Sequence, residues 1–128
     1  MENLKKILIV DDEQDILEFL SYNFKKKNFK VYTAANGKEG LAQAILCQPD
    51  IILSDILMPE MDGVKMCFRI REISQFKNTP VIFLTAVNDD YKVLHAMSSG
   101  ADQIANKPIR FEYLLTMVNE MLEEKSLA

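Results

Sequence analysis

Short apolar runs alternate along the chain with longer segments in which apolar residues recur every three or four positions. The runs predict five strands, at residues 7–10, 30–34, 51–54, 81–84 and 103–105. Three of these runs are apolar at consecutive positions, a pattern typical of strands that are covered on both faces of a parallel sheet. The fifth run is short and weakly apolar, and its place in the alternation is the reason for predicting a strand there.

The segments between the runs predict five helices, because their apolar residues share one helical stripe. The second helix, at 37–46, is predicted to bury Leu41, Ala44 and Ile45. The third, from 63 to about 73, has apolar residues on several faces and leaves its buried side open. The fourth begins after Asn88 and Asp89, either of which can cap it, and stops at residue 100. The fifth has the clearest stripe, formed by Phe111, Leu114, Leu115, Val118 and Leu122.

Strict alternation of strands and helices predicts an α/β fold with helices on both faces of a parallel sheet. Right-handed crossovers leave few topologies, and 2-1-3-4-5 is the common strand order for five such units. The chain is therefore expected to form a flavodoxin-like (βα)5 three-layer sandwich. Residues 1–128 are expected to be a single domain without an output domain.

Composition and charge narrow the class of protein. The formal charge is −4, and the longest basic run, Lys25-Lys26-Lys27, is expected to solvate a helix end rather than to bind nucleic acid. No stretch resembles a signal peptide or a transmembrane span, so a cytoplasmic location without membrane attachment is expected. Cys47 and Cys67 are expected to be buried without a disulfide. The single histidine, His95, is expected on the surface.

Polar residues follow four of the predicted strands where the chain leaves the sheet. Asp11 and Asp12 follow the first strand, Asp55 the third and Thr85 the fourth, while Lys107 comes soon after the fifth. In an open parallel sheet the ligand site lies beyond the carboxyl ends of the strands, where the strand order reverses. The three carboxylates should therefore converge on one crevice, with a hydroxyl and an ammonium beside them.

Converging carboxylates repel one another, and a hard divalent cation would relieve that repulsion. Mg2+ suits the site, because it takes one or two carboxylates together with phosphate oxygens; Mn2+ could substitute. Asp55 is the natural nucleophile toward phosphorus, with the metal on Asp12 and Asp55 and oriented through Asp11. Lys107 and Thr85 would then donate to the remaining phosphoryl oxygens.

The chain resembles the receiver domains of two-component response regulators over nearly its whole length. The motifs that carry the resemblance are the run from Ile7 to Asp12, Asp55 with Met58-Pro59 and Met61-Asp62-Gly63, Leu84-Thr85-Ala86, and Lys107-Pro108. The resemblance implies a switch that is phosphorylated on Asp55 in a Mg2+-dependent reaction. It also implies a metal ligand in the Leu57 backbone carbonyl, a switch hydroxyl in Thr85, a phosphoryl-binding ammonium in Lys107 and a cis Lys107-Pro108 bond.

The implied partners follow from the same resemblance. A sensor histidine kinase or a phosphotransfer protein would donate the phosphoryl group. A downstream effector or output domain would read the face formed by helix 4, strand 5 and helix 5, on or near which Tyr91, Ile104 and Tyr113 are expected. The chain would not be an enzyme beyond catalysing its own phosphorylation and dephosphorylation.

Three positions depart from the pattern that the resemblance implies. Ile104 stands where the family commonly has a Tyr or Phe that changes position during switching. This predicts a smaller side-chain movement at this position, or a conformational change that is transmitted by other residues. Leu57 and Val87 flank the approach to the phosphoryl group, and both are apolar, which predicts a long-lived acyl phosphate.

Two other classes of function use the same fold. An interaction module that works without phosphorylation is disfavoured by the intact acidic residues, although Ile104 leaves room for it. A flavodoxin needs a phosphate loop after strand one, where Asp11, Asp12 and Glu13 would repel phosphate. A phosphatase of the haloacid dehalogenase type would need its second Asp two residues after the nucleophile, and Glu13 stands there instead.

Overall fold

The computed structural model describes residues 3–86 and 90–127 of the chain, in strict alternation of strands and helices. The strands are β1 (Lys6–Val10), β2 (Lys30–Ala34), β3 (Ile51–Asp55), β4 (Val81–Thr85) and β5 (Gln103–Asn106). The helices are α1 (Gln14–Lys26), α2 (Gly37–Cys47), α3 (Gly63–Glu72), α4 (Asp90–Met97) and α5 (Phe111–Leu127). A short 3-10 helix, Ser74–Phe76, follows α3 and has no counterpart among the predicted elements.

The five strands form one parallel sheet in the order β2-β1-β3-β4-β5. The predicted fold class and strand order are therefore confirmed. Four strands extend one residue beyond the predicted runs, at Lys6, Asp55, Thr85 and Asn106. The middle strands β1, β3 and β4 are almost entirely buried, as continuous apolar runs require when helices cover both faces.

Alternate residues of each strand point into two separate cores. Ile7 and Ile9 of β1 pack on one side of the sheet with apolar residues of α1 and α5. Leu8 and Val10 pack on the other side with residues of α2, α3 and α4. On α5 the buried residues are Leu114, Val118 and Leu122, which confirms the predicted stripe at its centre, while Phe111 and Leu115 are only partly buried.

The predicted buried stripe of α2 is wrong at Ile45, whose side chain is 52% exposed. The buried positions are Gly37, Gly40, Ala44 and Cys47. A Cβ at Gly40 would lie 2.6 Å from Met66 Sδ and 3.0 Å from Val10 Cγ2. The helix therefore approaches the sheet and α3 through its small residues, and that close packing turns Ile45 toward solvent.

The structure also resolves the smaller sequence expectations. On α3 the buried apolar residues are Val64, Met66, Cys67 and Ile70, whereas Phe68 is 45% exposed. Helix α4 ends at Met97, three residues before the predicted stop; the predicted caps Asn88 and Asp89 lie outside the described residues. Both cysteines are buried and free, as expected, and His95 is exposed.

Arg71, near the end of α3, connects several segments at the amino-terminal edge of β4 and β5. Its guanidinium donates to the carbonyl oxygens of Phe76 at 2.9 Å, Thr79 at 2.6 Å and Gly100 at 2.8 and 3.0 Å. It also donates to Asp102 Oδ2 at 3.1 Å. One side chain thereby fixes the chain segments that lead into both strands.

Among the described residues, no helix combines the length and the apolar character needed to cross a lipid bilayer.

Candidate functional site

Three carboxylates meet at the carboxyl edge of the sheet. Asp55 is the last residue of β3, and Asp11 directly follows β1, the neighbouring strand, so that Val10 is paired with Ser54. Asp11 is fully buried, Asp55 is 8% exposed and Asp12 is exposed. One carboxylate oxygen from each of the three lies within 4.8 Å of the others. The predicted convergence of Asp11, Asp12 and Asp55 is therefore present in the fold.

Asp11 has one satisfied and one unsatisfied carboxylate oxygen. Its Oδ1 accepts a hydrogen bond from the Glu13 backbone N–H at 2.9 Å, which holds the loop between β1 and α1. Its Oδ2 is buried and receives no aligned hydrogen bond from the described residues, although the Lys107 ammonium lies 2.9 Å away as an ion-pair partner. Apart from that ion pair, no described residue satisfies this buried oxygen, and a hard cation would do so.

The Lys107 ammonium lies among three carboxylates. Its Nζ is 2.9 Å from Asp11 Oδ2, 2.9 Å from Glu13 Oε1 and 3.3 Å from Asp55 Oδ2. The Lys107 backbone N–H donates to the Thr85 carbonyl at 2.8 Å, and the Lys107-Pro108 peptide bond is cis, as the resemblance implied. The end of β5 thus brings the ammonium to the aspartates.

Burial and charge act in opposite directions on the ionisable groups. Burial raises the pKa of Asp55, and the negative charge of Asp11 raises it further, while the Lys107 ammonium lowers it. Burial alone would lower the pKa of Lys107, but its contacts with Glu13 and Asp11 and the charge of Asp55 raise that pKa above its ordinary value. The ammonium therefore remains charged, and the fold disfavours ionised Asp55 unless further positive charge is supplied.

The backbone around Asp55 is tightly enclosed. The Asp55 Oδ1 atom accepts a hydrogen bond from the Ile56 backbone N–H at 2.8 Å, which orients the carboxylate. The first residue of α3, Gly63, donates its N–H to the Ile56 carbonyl at 2.8 Å. A Cβ at Gly63 would stand 2.1 Å from the Asp55 carbonyl oxygen. Glycine is needed here because the start of α3 folds back directly onto the strand end.

The other predicted site residues surround this cluster. Thr85 ends β4, is 1% exposed and pairs with Asn106 of β5. Leu57 lies two residues after Asp55 with its side chain 57% exposed. Ile104 is partly buried against the core on the α2 and α3 side of the sheet. Val87 lies outside the described residues.

Glu13 is the one residue of the cluster to which the sequence assigns no positive role. Its Oε1 reaches Lys107 Nζ across 94 positions of the chain. Adjacency to Asp11 and Asp12 is the only signal in the sequence that could have suggested it, and the sequence pattern indicates only that its charge repels phosphate.

Comparison with known proteins agrees with this geometry. The family model described as the response regulator receiver domain matches residues 7–119. The chain belongs to the response regulator receiver domain family.

Curated regulatory proteins are similar to this receiver domain in sequence. The alkaline phosphatase synthesis transcriptional regulatory protein PhoP of Bacillus subtilis is 33% identical over 124 residues, which are 97% of this chain and 51% of PhoP. The response regulator ArlR of Staphylococcus saprophyticus is 35% identical over 95% of this chain and 54% of ArlR. The receiver domain described here thus spans about half the length of these curated relatives.

Solved structures resemble this receiver domain over nearly their whole length. The chemotaxis protein CheY4 of Vibrio cholerae has a TM-score of 0.88 at 34% identity, covering 93% of this chain and 99% of CheY4. A CheY-like receiver domain from Methanospirillum hungatei reaches 0.91 at 28% identity, covering 97% of this chain and 98% of that one. The receiver domain of a histidine kinase from Syntrophus aciditrophicus reaches 0.87 at 32% identity, covering 94% and 91%.

Family membership establishes the general role. Receiver domains are phosphorylation-controlled switches of two-component signalling, and they interact with histidine kinases or phosphotransfer partners and with effector domains. They generally bind Mg2+ at an acidic cluster, and Asp11, Asp12 and Asp55 form such a cluster in this receiver domain.

Proposed function

We propose that Asp55 of this receiver domain accepts a phosphoryl group from a histidine kinase or phosphotransfer protein. The observation that carries this proposal is the grouping of the Asp11, Asp12 and Asp55 carboxylates within 4.8 Å, with the Lys107 ammonium 3.3 Å from Asp55 Oδ2. Asp55 is the nucleophile because it alone of the three is the last residue of a strand, which fixes its backbone in the sheet. The Ile56 N–H then orients its carboxylate through a hydrogen bond.

The phosphoryl transfer needs no reactant other than the phosphohistidine donor and Asp55. A carboxylate oxygen of Asp55 attacks phosphorus and forms a P–O bond as the P–N bond of the donor phosphohistidine breaks. The electron pair of that bond stays on the imidazole nitrogen, and an acyl phosphate is left on Asp55. Phosphoryl transfer needs positioning and neutralisation of charge, which the Lys107 ammonium and the Thr85 hydroxyl would supply to the phosphoryl oxygens.

The residues at this edge fit a divalent metal. Asp11, Asp12 and Asp55 would hold Mg2+, or Mn2+ in its place, together with the Leu57 backbone carbonyl. The buried Asp11 Oδ2, which receives no aligned hydrogen bond from the described residues, supports this assignment. When bound, the metal would screen the charge of the incoming phosphoryl oxygens. Asp11, whose Oδ1 is occupied by the Glu13 N–H, would present Oδ2 in a fixed orientation.

The signal would leave the domain through the face formed by α4, β5 and α5. Tyr113 of α5 is 62% exposed, Ile104 of β5 is partly buried, and both residues line one surface pocket. An effector or output domain would read this face after phosphorylation shifts the conformational equilibrium. The domain would turn over no substrate other than its own acyl phosphate.

The test is incubation with acetyl phosphate and Mg2+, followed by intact mass measurement. We expect the parent protein to gain the mass of one phosphoryl group, and we expect no gain in Asp55→Asn or in parent protein with the metal chelated. Asp15→Asn is the matched control, because Asp15 is an exposed aspartate in the first turn of α1. Equal labelling of Asp55→Asn and the parent would disprove the assignment. No labelling of the parent would favour an interaction module that works unphosphorylated.

A further inference from the structure

The side chain of Glu13 contacts Lys107 in the site and does not cap helix α1, which begins at the next residue. Glu13 occupies the N-cap position of α1, yet its carboxylate makes no capping hydrogen bond; its backbone carbonyl accepts instead from Ile16 and Leu17. Glutamate is not among the residues favoured at N-caps, which are Ser, Thr, Asp and Asn. The carboxylate is directed to the Lys107 ammonium at 2.9 Å.

The three carboxylates around Lys107 differ in how easily they can release it. The side chain of Asp11 is 0% exposed and that of Asp55 12%, whereas the side chain of Glu13 is 59% exposed. A buried carboxylate that loses its cation stays poorly solvated, but an exposed one returns to water at little cost. Glu13 is therefore the partner that Lys107 can leave most cheaply.

An ammonium has three donors, and three carboxylates lie within 3.3 Å of this one: Glu13 and Asp55 accept hydrogen bonds from it, and Asp11 pairs with it by charge. Binding to a phosphoryl oxygen requires Lys107 to give up one of those contacts. Release from Asp11 or Asp55 would disturb the acidic cluster itself. Release from Glu13 leaves that cluster intact.

We propose that Glu13 is a positioning residue that holds Lys107 in the unphosphorylated protein and is displaced when the phosphoryl group arrives. This rests on the proposed phosphorylation of Asp55. Glu13 acts through Lys107 and contacts no reacting atom. Breaking its ion pair is part of the work of reaching the transition state, so Glu13 slows phosphorylation and favours the unphosphorylated state.

The experiment compares Glu13→Gln and Glu13→Asp with the parent at saturating Mg2+, using acetyl phosphate as the donor and following Asp55 phosphorylation by intact mass. Glu13→Gln removes the charge, whereas Glu13→Asp keeps the charge but shortens the side chain by one methylene and so loses its reach to Lys107. We expect both variants to be phosphorylated about two- to fivefold faster than the parent, since exposed ion pairs change equilibria by factors of that order.

Glu120→Gln is the control, because Glu120 is exposed on α5 and makes no ion pair with any of the described residues. It should react at the parent's rate, although it changes the net charge as Glu13→Gln does. A second readout is the side-chain NMR signal of Lys107 in unphosphorylated protein, which should shift in both Glu13 variants and not in Glu120→Gln.

Two results would overturn this inference and leave the proposed function standing. One is an unchanged rate in Glu13→Gln. The other is acceleration in Glu13→Gln with a parent-like rate in Glu13→Asp, which would mean that Glu13 acts by repelling the anionic donor rather than by holding Lys107. If the parent is phosphorylated and the Glu13 variants react at the same rate, only this inference is refuted. Parent protein that is never phosphorylated refutes the proposed function, and the inference with it.

Discussion

Replacing Arg71 by alanine would remove the guanidinium that joins the end of α3 to the segments leading into β4 and β5. Five hydrogen bonds are lost, four to the carbonyls of Phe76, Thr79 and Gly100 and one to Asp102. The Arg71 side chain is only 18% exposed, so water replaces these bonds incompletely. The variant should therefore be clearly less stable.

The magnitude follows from the number and kind of these bonds. Three of the five bonds are exposed and two are part-buried, so their acceptors can be rehydrated and each bond contributes about 1 kcal/mol. Freeing the arginine side chain returns about 2 kcal/mol of conformational entropy. With two of the bonds sharing the Gly100 carbonyl, we expect Arg71→Ala to lower the free energy of unfolding by about 2–4 kcal/mol.

Urea denaturation followed by circular dichroism would measure this, with Arg69→Ala as the matched control. Arg69 lies on the same helix, and its contact with Glu72 is a 3.7 Å ion pair between side chains that are 53% and 68% exposed. Such a pair contributes less than about 0.5 kcal/mol. If the two variants lost stability to the same extent, the role assigned to the Arg71 hydrogen bonds would be refuted.

Four further predictions concern the site. Gly63→Ala should lower the free energy of unfolding by about 1–3 kcal/mol, because its Cβ would lie 2.1 Å from the Asp55 carbonyl; a loss no larger than that of the exposed Lys65→Ala in the same denaturation assay would contradict this. Asp55→Asn should be more stable than the parent at neutral pH without Mg2+, because burial and Asp11 raise the pKa of Asp55 and so penalise its ionised form in the fold. That penalty disappears as the pH falls through the raised pKa, so the two stability curves should converge in acid, and a less stable variant at neutral pH would speak against it. The acyl phosphate should persist for minutes or longer in purified protein, because the Leu57 side chain offers no polar group to orient a water molecule; decay within seconds, measured by mass, would be incompatible. Ile104 should show equal methyl mobility by NMR with and without beryllofluoride as a phosphoryl mimic, and a large inward movement would count against a quiet switch.

The sheet and the acidic cluster could be predicted because both follow from simple burial. Strands covered on both faces must be apolar at consecutive positions, so 7–10 and 51–54 are recognisable without any partner. Where each run ends, polar residues begin, and parallel strands bring those ends to one edge. The convergence of Asp11 and Asp55 therefore required only the strand order.

Side-chain packing through small residues could not be predicted in the same way. The predicted stripe of α2 contains Leu41, Ala44 and Ile45, yet Gly37 and Gly40 also face the core and Ile45 does not. Glycine adds no hydrophobic signal to a helical pattern, and its effect depends on what lies opposite, here Met66 and Val10.

Long-range polar contacts also lie beyond the reach of the pattern. The pairing of Glu13 with Lys107 depends on the rotamers of two long side chains from distant parts of the chain. The Arg71 contacts are made mostly to backbone carbonyls, which every residue carries, so no residue type in the sequence marks them.

The contact between Gly63 and Asp55 has a mechanical consequence. There is no room for even a methyl group between the start of α3 and the Asp55 carbonyl, so the two segments are in direct van der Waals contact. Gly37 of α2 is equally close to the same loop, donating its N–H to the Met61 carbonyl at 2.7 Å. Because no gap separates them, any shift of the Asp55 main chain toward α3 must also displace the start of that helix.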